Sequence, residues 1–265
     1  MAQDIVVFGF VPLAKKVICH LHGLETANIV GVVTVDREMP EWRSTASDRP
    51  VADICKLLDI PLISEQDTTV LEPDVGFTVR YPNILPEEIL DSFDYGVINF
   101  HGGHLPEYRG AHASNHVLLN NEQWHGATLH FCDPGIDTGP IVDRQKFKIQ
   151  EQDTCYTLYQ KAKIALWNRY VNNVADILSR DIEPIPQSES EVYSKPSTYY
   201  RGDLADKKEV DLNSDPDELL RRIRSFDFPT HKPAYIKVGD NEIQLRTGWN
   251  NNWPDGYDIP GGKNE

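Results

Sequence analysis

A Rossmann-like α/β fold with a mostly parallel sheet and a small C-terminal subdomain is predicted by three features of this 265-residue sequence. Apolar, β-rich runs recur through its first part. They are continuous instead of alternating, as in strands covered on both faces. Between them lie segments whose apolar residues recur at three-to-four spacing, the mark of the crossover helices that parallel sheets need.

The strands are read at IVVFGF (5–10), IVGVVTV (29–35), VGFTV (75–79) and YGVINF (95–100). The helices between them are read at VPLAKKVICHLHGL (11–24), VADICKLLD (51–59) and PEEILDSF (86–93). Pro86 with Glu87 and Glu88 looks like a helix start, because proline suits the first helical position and acidic side chains suit the positive end of the dipole. After Phe100 the pattern breaks into HGGHLPEYRG, a polar loop at the C-terminal end of a strand, where open α/β sheets place their sites. A helix over 112–119, a strand GATLHF (126–131) and the turn DPGIDTGP follow.

The run 154–178 predicts one amphipathic helix with Leu158, Ala162, Ala165, Leu166, Tyr170 and Val174 near one face. Past Pro184 the sequence turns polar and proline-punctuated (PIPQSESEVYSKPSTYYRG), which divides a larger domain, 1–184, from a subdomain, 185–265. The latter predicts a helix in DPDELLRRIRSF (215–226) capped by Ser214, and a hairpin in AYIKVGDNEIQL (234–245) turning at Gly239 and Asp240. The end, GWNNNWPDGYDIPGGKNE (248–265), reads as irregular.

Composition narrows the function classes. Hydrophobic content of 40% and charged content of 25% are those of a globular soluble protein. No apolar stretch approaches the ~18 residues of a membrane span. MAQDIVVFGF enters a strand directly, without the basic and apolar regions of a secretory leader, so a cytoplasmic location is expected. Cys19, Cys55, Cys132 and Cys155 lie far apart with no C-x-x-C pair, which suggests neither a zinc site nor a disulfide framework. A formal net charge of −15 disfavours a nucleic-acid partner, while a small anion held by a few local cations stays compatible. The turn after the first strand has one glycine, Gly9, in place of G-x-G-x-x-G, so NAD binding is not predicted.

Asn99 and His101 are the sharpest local feature. They sit at i and i+2 at a strand end and therefore emerge on one face of the sheet. In acyl transfer a nucleophile attacking a carbonyl carbon builds a tetrahedral centre with a developing oxyanion, which an amide donor such as Asn99 stabilises by about 3 kcal/mol. His101, as a histidine with an unperturbed pKa near neutrality, suits the proton that such a nucleophile loses. A carboxylate such as Asp137 suits orienting an imidazole or balancing its charge. His104, His112, His116, His125 and His130 lie nearby in sequence but lack metal-ligand spacing, so no metal is expected.

The stretch INFHGGHLPEYRGAHASNHVLLNNEQWHGATLHFCDPGIDTGPIV (98–142) resembles the folate-dependent formyltransferase family. The likeness lies in the asparagine–histidine pair, H-x-x-x-L-P-x-Y-R-G (101–110), G-A-T-L-H (126–130) and D-x-G-I-D-T-G (133–139), and a weaker likeness extends from the first strand to about residue 180. It implies catalytic roles for Asn99, His101 and Asp137, with 10-formyltetrahydrofolate as the formyl donor. It further implies a donor pocket held largely through backbone by Arg80, Asn83, Ile84 and Leu85 together with Asp133, Pro134 and Gly135. Arg80 is instead either a contact for an acceptor phosphate or a solvated surface arginine. On the acceptor side stand Phe10, unless it belongs to the core, and the 104–110 loop with His104, Tyr108, Arg109 and Gly110. Arg109 either forks onto the substrate or braces the loop.

Three branches of the resemblance compete: nucleotide-linked amino-sugar, methionyl-tRNA and glycinamide ribonucleotide formyltransferases. The acidic chain with its short tail departs from the tRNA branch, which normally carries a larger basic C-terminal domain. RSFDFPTHKPAY (224–235) looks like a segment of the sugar branch and is not needed by the purine branch. An amino-deoxysugar carried on a nucleoside diphosphate, serving bacterial surface polysaccharide such as lipopolysaccharide O-antigen, is therefore the expected acceptor, and a homodimer the expected assembly. One departure bears on the acceptor pocket: RGAHASNHV lacks the tryptophan that many sugar-branch members have after the R-G. Tyr199, Tyr200, Phe226 and Tyr235 either stack on a base or pack the tail. A non-catalytic folate or nucleotide-sugar binding protein, and a hydrolase releasing formate, are the alternatives of other classes.

Overall fold

A computed structural model describes residues 2–35, 50–229 and 231–248. The terminal stretch read as irregular lies outside the described residues apart from Gly248, as does Thr230 within the 224–235 segment.

The first half alternates as the sequence predicts, with one further helical turn, α3, that it did not announce: β1 (Gln3–Gly9), α1 (Pro12–His22), β2 (Ala27–Val33), α2 (Val51–Leu57), α3 (Thr68–Leu71), β3 (Val75–Val79), α4 (Glu87–Leu90) and β4 (Gly96–His101). There follow β5 (Tyr108–Gly110), α5 (Ala113–Leu119), β6 (Trp124–Phe131), β7 (Ile141–Lys148) and the long α6 (Cys155–Ser179). Past these come β8 (Ser197–Tyr199), a 3₁₀ turn (Arg201–Leu204), α7 (Pro216–Phe226) and the hairpin β9 (Ala234–Val238) and β10 (Asn241–Leu245).

Among the described residues the main sheet runs β2-β1-β3-β4-β6-β7. The strands from β2 to β4 are parallel, and β6 and β7 add on antiparallel. From β1 the chain moves to β2 on one side and then returns to β3 on the other. That reversal opens a crevice at the carboxyl ends of β1 and β3, where open α/β sheets bind ligands. Both faces are covered: Val7, Phe77, Ile98 and Leu129 pack with α1 and α6, while Val6, Phe8 and Val97 pack under α4. Leu158, Ala162, Ala165, Leu166, Tyr170 and Val174 of α6 are all buried, as the periodicity predicts.

Helix ends follow local chemistry. Thr154 caps α6 by accepting from the Thr157 amide while the Thr157 side chain reciprocates. The expected cap of α7 at Ser214 is corrected by one residue: Asp215 caps it, accepting from the amides of Asp217 and Glu218, because Pro216 takes the first helical position. The hairpin turns at Gly239, whose φ of +60° suits glycine.

The residues past 184 lie against the rest. β8 runs parallel to β5, and Ile185 bridges Ile141 at the start of β7. The Tyr199 ring stacks on Tyr108 at 5.5 Å between centroids, and on the buried imidazole of His116 at 3.9 Å. No described helix is long and apolar enough to cross a membrane.

Candidate active site

Register builds the site. Across three neighbouring strands Thr78 of β3 pairs with Asn99 of β4, and Asn99 pairs with His130 of β6. Directly opposed residues project to the same face, so these side chains meet in one row. Thr78 Oγ1 donates to Asn99 Oδ1 at 2.6 Å, and Asn99 Nδ2 lies 3.0 Å from His130 Nε2. His101, two residues along β4, shares that face.

Asp137 reaches this row from the β6–β7 turn. Its Oδ1 accepts from Asn99 Nδ2 at 3.1 Å, and its Oδ2 accepts the Gly110 amide at 2.8 Å and lies 3.2 Å from His101 Nδ1. Asp137 holds a left-handed backbone, φ 52°, which turns its carboxylate back over the sheet. Gly110 needs its glycine: φ is +81° and an added Cβ would collide with the Tyr199 carbonyl of β8.

Proton positions follow from the partners. Both partners of His101 only accept, and the one proton of the neutral ring belongs on Nε2, 2.6 Å from the Tyr108 carbonyl, which leaves Nδ1, 3.2 Å from Asp137 Oδ2, as the nitrogen that takes a second proton. His130 Nδ1 donates to the Phe131 carbonyl at 2.8 Å, leaving its Nε2 to accept from Asn99. Burial holds the His101 imidazole below its ordinary pKa; Asp137 opposes this, and His130 and Arg80 add to it. Burial also penalises the Asp137 charge, but His101, His130 and the Gly110 amide outweigh that penalty and hold the carboxyl well below its usual range. A neutral base beside a fixed carboxylate is an arrangement that takes a proton and stabilises the resulting cation.

Two cavities meet here. One, of about 880 Å³, opens on the crevice and is lined by Phe10, Arg80, Asn83, Ile84, Leu85, Asp133 and Gly135 with Asn99, His101 and Asp137. Pro134 is absent from its lining. Asn83 donates to Glu65, and Asp133 braces its own turn by accepting from Thr138 and the Gly135 amide, so neither side chain faces the cavity alone. The second cavity, of about 740 Å³, shares Arg80, His101, Gly102, Gly110, His112 and Arg201 with the first. Lys163, Lys208 and Lys232 add positive charge to it, and Tyr159, Phe226 and Tyr235 add aromatic faces.

His104, Tyr108 and Arg109 are not brought to either cavity, which corrects their expected place on an acceptor face. His104 is buried against Glu107 at 2.9 Å, and the Tyr108 hydroxyl donates to Glu122 at 2.9 Å. Arg109 Nε donates to Gln187 Oε1 at 2.9 Å, so it braces. The loop turns inward because β5 pairs with β8, a contact no local pattern announces. Sequence reasoning gave Thr78, His130, Gln187 and Arg201 no role. For Thr78 the available signal was a lone hydroxyl in an otherwise apolar strand. Among the described residues no set of three or more His, Cys, Asp and Glu is gathered to hold a metal.

Comparison with known proteins fits this architecture. The family model described as formyl transferase matches residues 4–174. A methionyl-tRNA formyltransferase of Thermosynechococcus vestitus is 30% identical over 259 residues, covering 93% of this chain and 74% of its own length. One from Clostridium tetani is 31% identical over 180 residues, 65% of this chain, and the match spans 56% of that relative. In structure, the N-formyltransferase from Helicobacter canadensis, solved with folinic acid and dTDP-3-aminofucose, superimposes with a TM-score of 0.75 at 21% identity over 92% of this chain and 86% of its own. A 4-N formyltransferase from Francisella tularensis gives 0.74 at 18%, over 92% and 96%. With the family model covering the main sheet from its second residue onward and Asn99, His101 and Asp137 with it, the chain belongs to the formyl transferase family.

Proposed function

We propose that the protein transfers a formyl group from 10-formyltetrahydrofolate to the amine of a nucleoside-diphosphate-linked amino-deoxysugar, with Asn99, His101 and Asp137 as its catalytic residues. The observation that carries this is the meeting of two cavities at that row, one for each substrate. The crevice cavity suits a reduced folate: Leu85 and Phe10 give apolar walls, and the 80–85 and 133–135 segments offer backbone donors and acceptors. The folate supplies the formyl carbon. The acceptor amine forms the new C–N bond, the bond from carbon to the folate nitrogen breaks, and tetrahydrofolate leaves with a proton.

His101 Nδ1 takes the proton that the amine loses, and Asp137 balances the imidazolium. Asn99 supplies the donor for negative charge gathering on the formyl oxygen. Its two amide hydrogens are held by Asp137 and His130, so the formyl oxygen competes with His130 for one of them.

The second cavity supports the sugar-nucleotide acceptor. In a chain of net charge −15 it gathers Arg80, Arg201, Lys163, Lys208 and Lys232 beside aromatic rings. Cations fit a diphosphate and rings fit a base. Methionyl-tRNA is the second reading, favoured by the curated relatives at 30–31% identity. The deciding assay offers 10-formyltetrahydrofolate with a panel of amino-sugar nucleotides and with methionyl-tRNA, and reads the formyl mass on the product. Formylation of the tRNA alone overturns the sugar reading, and folate-dependent release of formate without an acceptor replaces both. Free thiols at all four cysteines accord with a cytoplasmic location. A homodimer is part of the same proposal, and light scattering on the full chain tests it.

A further inference from the structure

Asp137 does not hold its position by its own backbone preference. It sits in the left-handed region, and the turn carrying it must be fixed by something else. Gln187 does this from a distant part of the chain. Its carboxamide is buried, 7% exposed, and its Nε2 donates to two carbonyls of that turn, those of Asp137 and Gly139, each at 2.8 Å. Its Oε1 accepts from Arg109 Nε at 2.9 Å.

Arg109 lies between Tyr108, whose carbonyl faces His101 Nε2, and Gly110, whose amide donates to Asp137. One carboxamide therefore ties the turn that bears the carboxylate to the strand that fixes the imidazole.

Resting on the assignment of His101 and Asp137 as the proton-handling pair, we propose that Gln187 is a positioning residue that sets the Asp137 carboxylate against His101 by clamping the 137–139 turn to β5. The two donated N–H groups are the essential part. A carboxylate at this place keeps the oxygen for Arg109 but sets a negative charge against two carbonyls. A thioether keeps the shape and donates nothing. Gln187→Glu and Gln187→Met thus separate donation from packing.

The test measures steady-state kinetics of the full chain, with 10-formyltetrahydrofolate and the best acceptor of the panel, for both variants and for Asp137→Asn. Both Gln187 variants are expected to lose about ten- to a hundredfold in kcat, with both KM values changed less than about threefold, because misplacing a group by an ångström costs rate more than binding. Asp137→Asn is expected to lose more.

A Gln187→Glu enzyme with wild-type kcat overturns the proposal, since it lacks both donors. So do two Gln187 variants with unchanged kcat beside an inactive Asp137→Asn, which leaves the pair's assignment standing. An active Asp137→Asn removes that assignment and the role of Gln187 with it. Should neither variant fold, the wild-type protein decides by NMR. Side-chain amide protons of Gln187 that exchange slowly support the clamp, and exchange at the rate of a free amide overturns it.

Discussion

Asn99 Nδ2 and Asp137 Oδ1 lie 3.1 Å apart, and because a carboxylate only accepts, that contact fixes which end of the Asn99 amide faces the site. Thr78 Oγ1, 2.6 Å from Asn99 Oδ1, fixes the other end. Asn99→Asp would set a second carboxylate against Asp137 and remove both N–H donors. We expect a fall of about 10²–10³ in kcat for Asn99→Ala, the magnitude of a lost oxyanion donor. Asn99→Asp should be no better. Rapid-quench formyl transfer measures both.

His101 gives a pH signature. Burial lowers its pKa, so the neutral, proton-accepting form persists to lower pH than for a free histidine. The acidic limb of kcat/KM should therefore lie below about 6.5. Asp137 is the charge that opposes this lowering, with His130 and Arg80 acting in the other direction. In Asp137→Asn any residual activity should keep its acidic limb at still lower pH, while kcat drops. An acidic limb above that of free histidine would count against His101 as the base.

Stability should fall in acid for a separate reason. Burial pushes His116 down to about 4 and His125 down to about 3. Below about pH 6.5 the unfolded chain binds protons that these folded imidazoles refuse, so each costs about 1.4 kcal/mol per pH unit until its folded pKa is reached. His116 has no hydrogen-bond partner for either ring nitrogen among the described residues and stacks on Tyr199. His116→Phe keeps the stack and removes the buried polar atoms. It should be neutral to about 1 kcal/mol stabilising at pH 7 and should gain more below pH 6. Urea unfolding at pH 7 and 5 measures this.

The cationic cavity predicts a binding defect without a chemical one. Lys208 lies over the Phe226 ring at 5.8 Å, and burial and Lys232 lower its pKa. Lys208→Met keeps the stem and removes the charge. The acceptor KM should rise about tenfold, the worth of one charge-assisted contact, with donor KM and kcat little changed. An unchanged acceptor KM would move the nucleotide elsewhere.

Much of the architecture was legible in the chain. The continuous strands Val75–Val79 and Gly96–His101 announce their burial on both faces, and α6 announces its buried stripe, because periodicity is set by neighbours in sequence. β7 was not read. Ile141–Lys148 is only partly buried at the sheet edge and carries Asp143, Arg144 and Lys146, which mask its alternation. β5 and β8 are too short to leave a pattern and exist through each other.

Residue spacing along the chain was enough to dictate a mostly parallel sheet, and to send Asn99 and His101 out of its fourth strand on one side. Both follow from spacing along one chain segment. Only the tertiary structure decided that Thr78 and His130 flank Asn99, that His104, Tyr108 and Arg109 turn inward, and that Gln187 clamps the turn of Asp137. Strand register and long-range hydrogen bonds depend on which segments meet in space, and local propensity carries no record of that meeting.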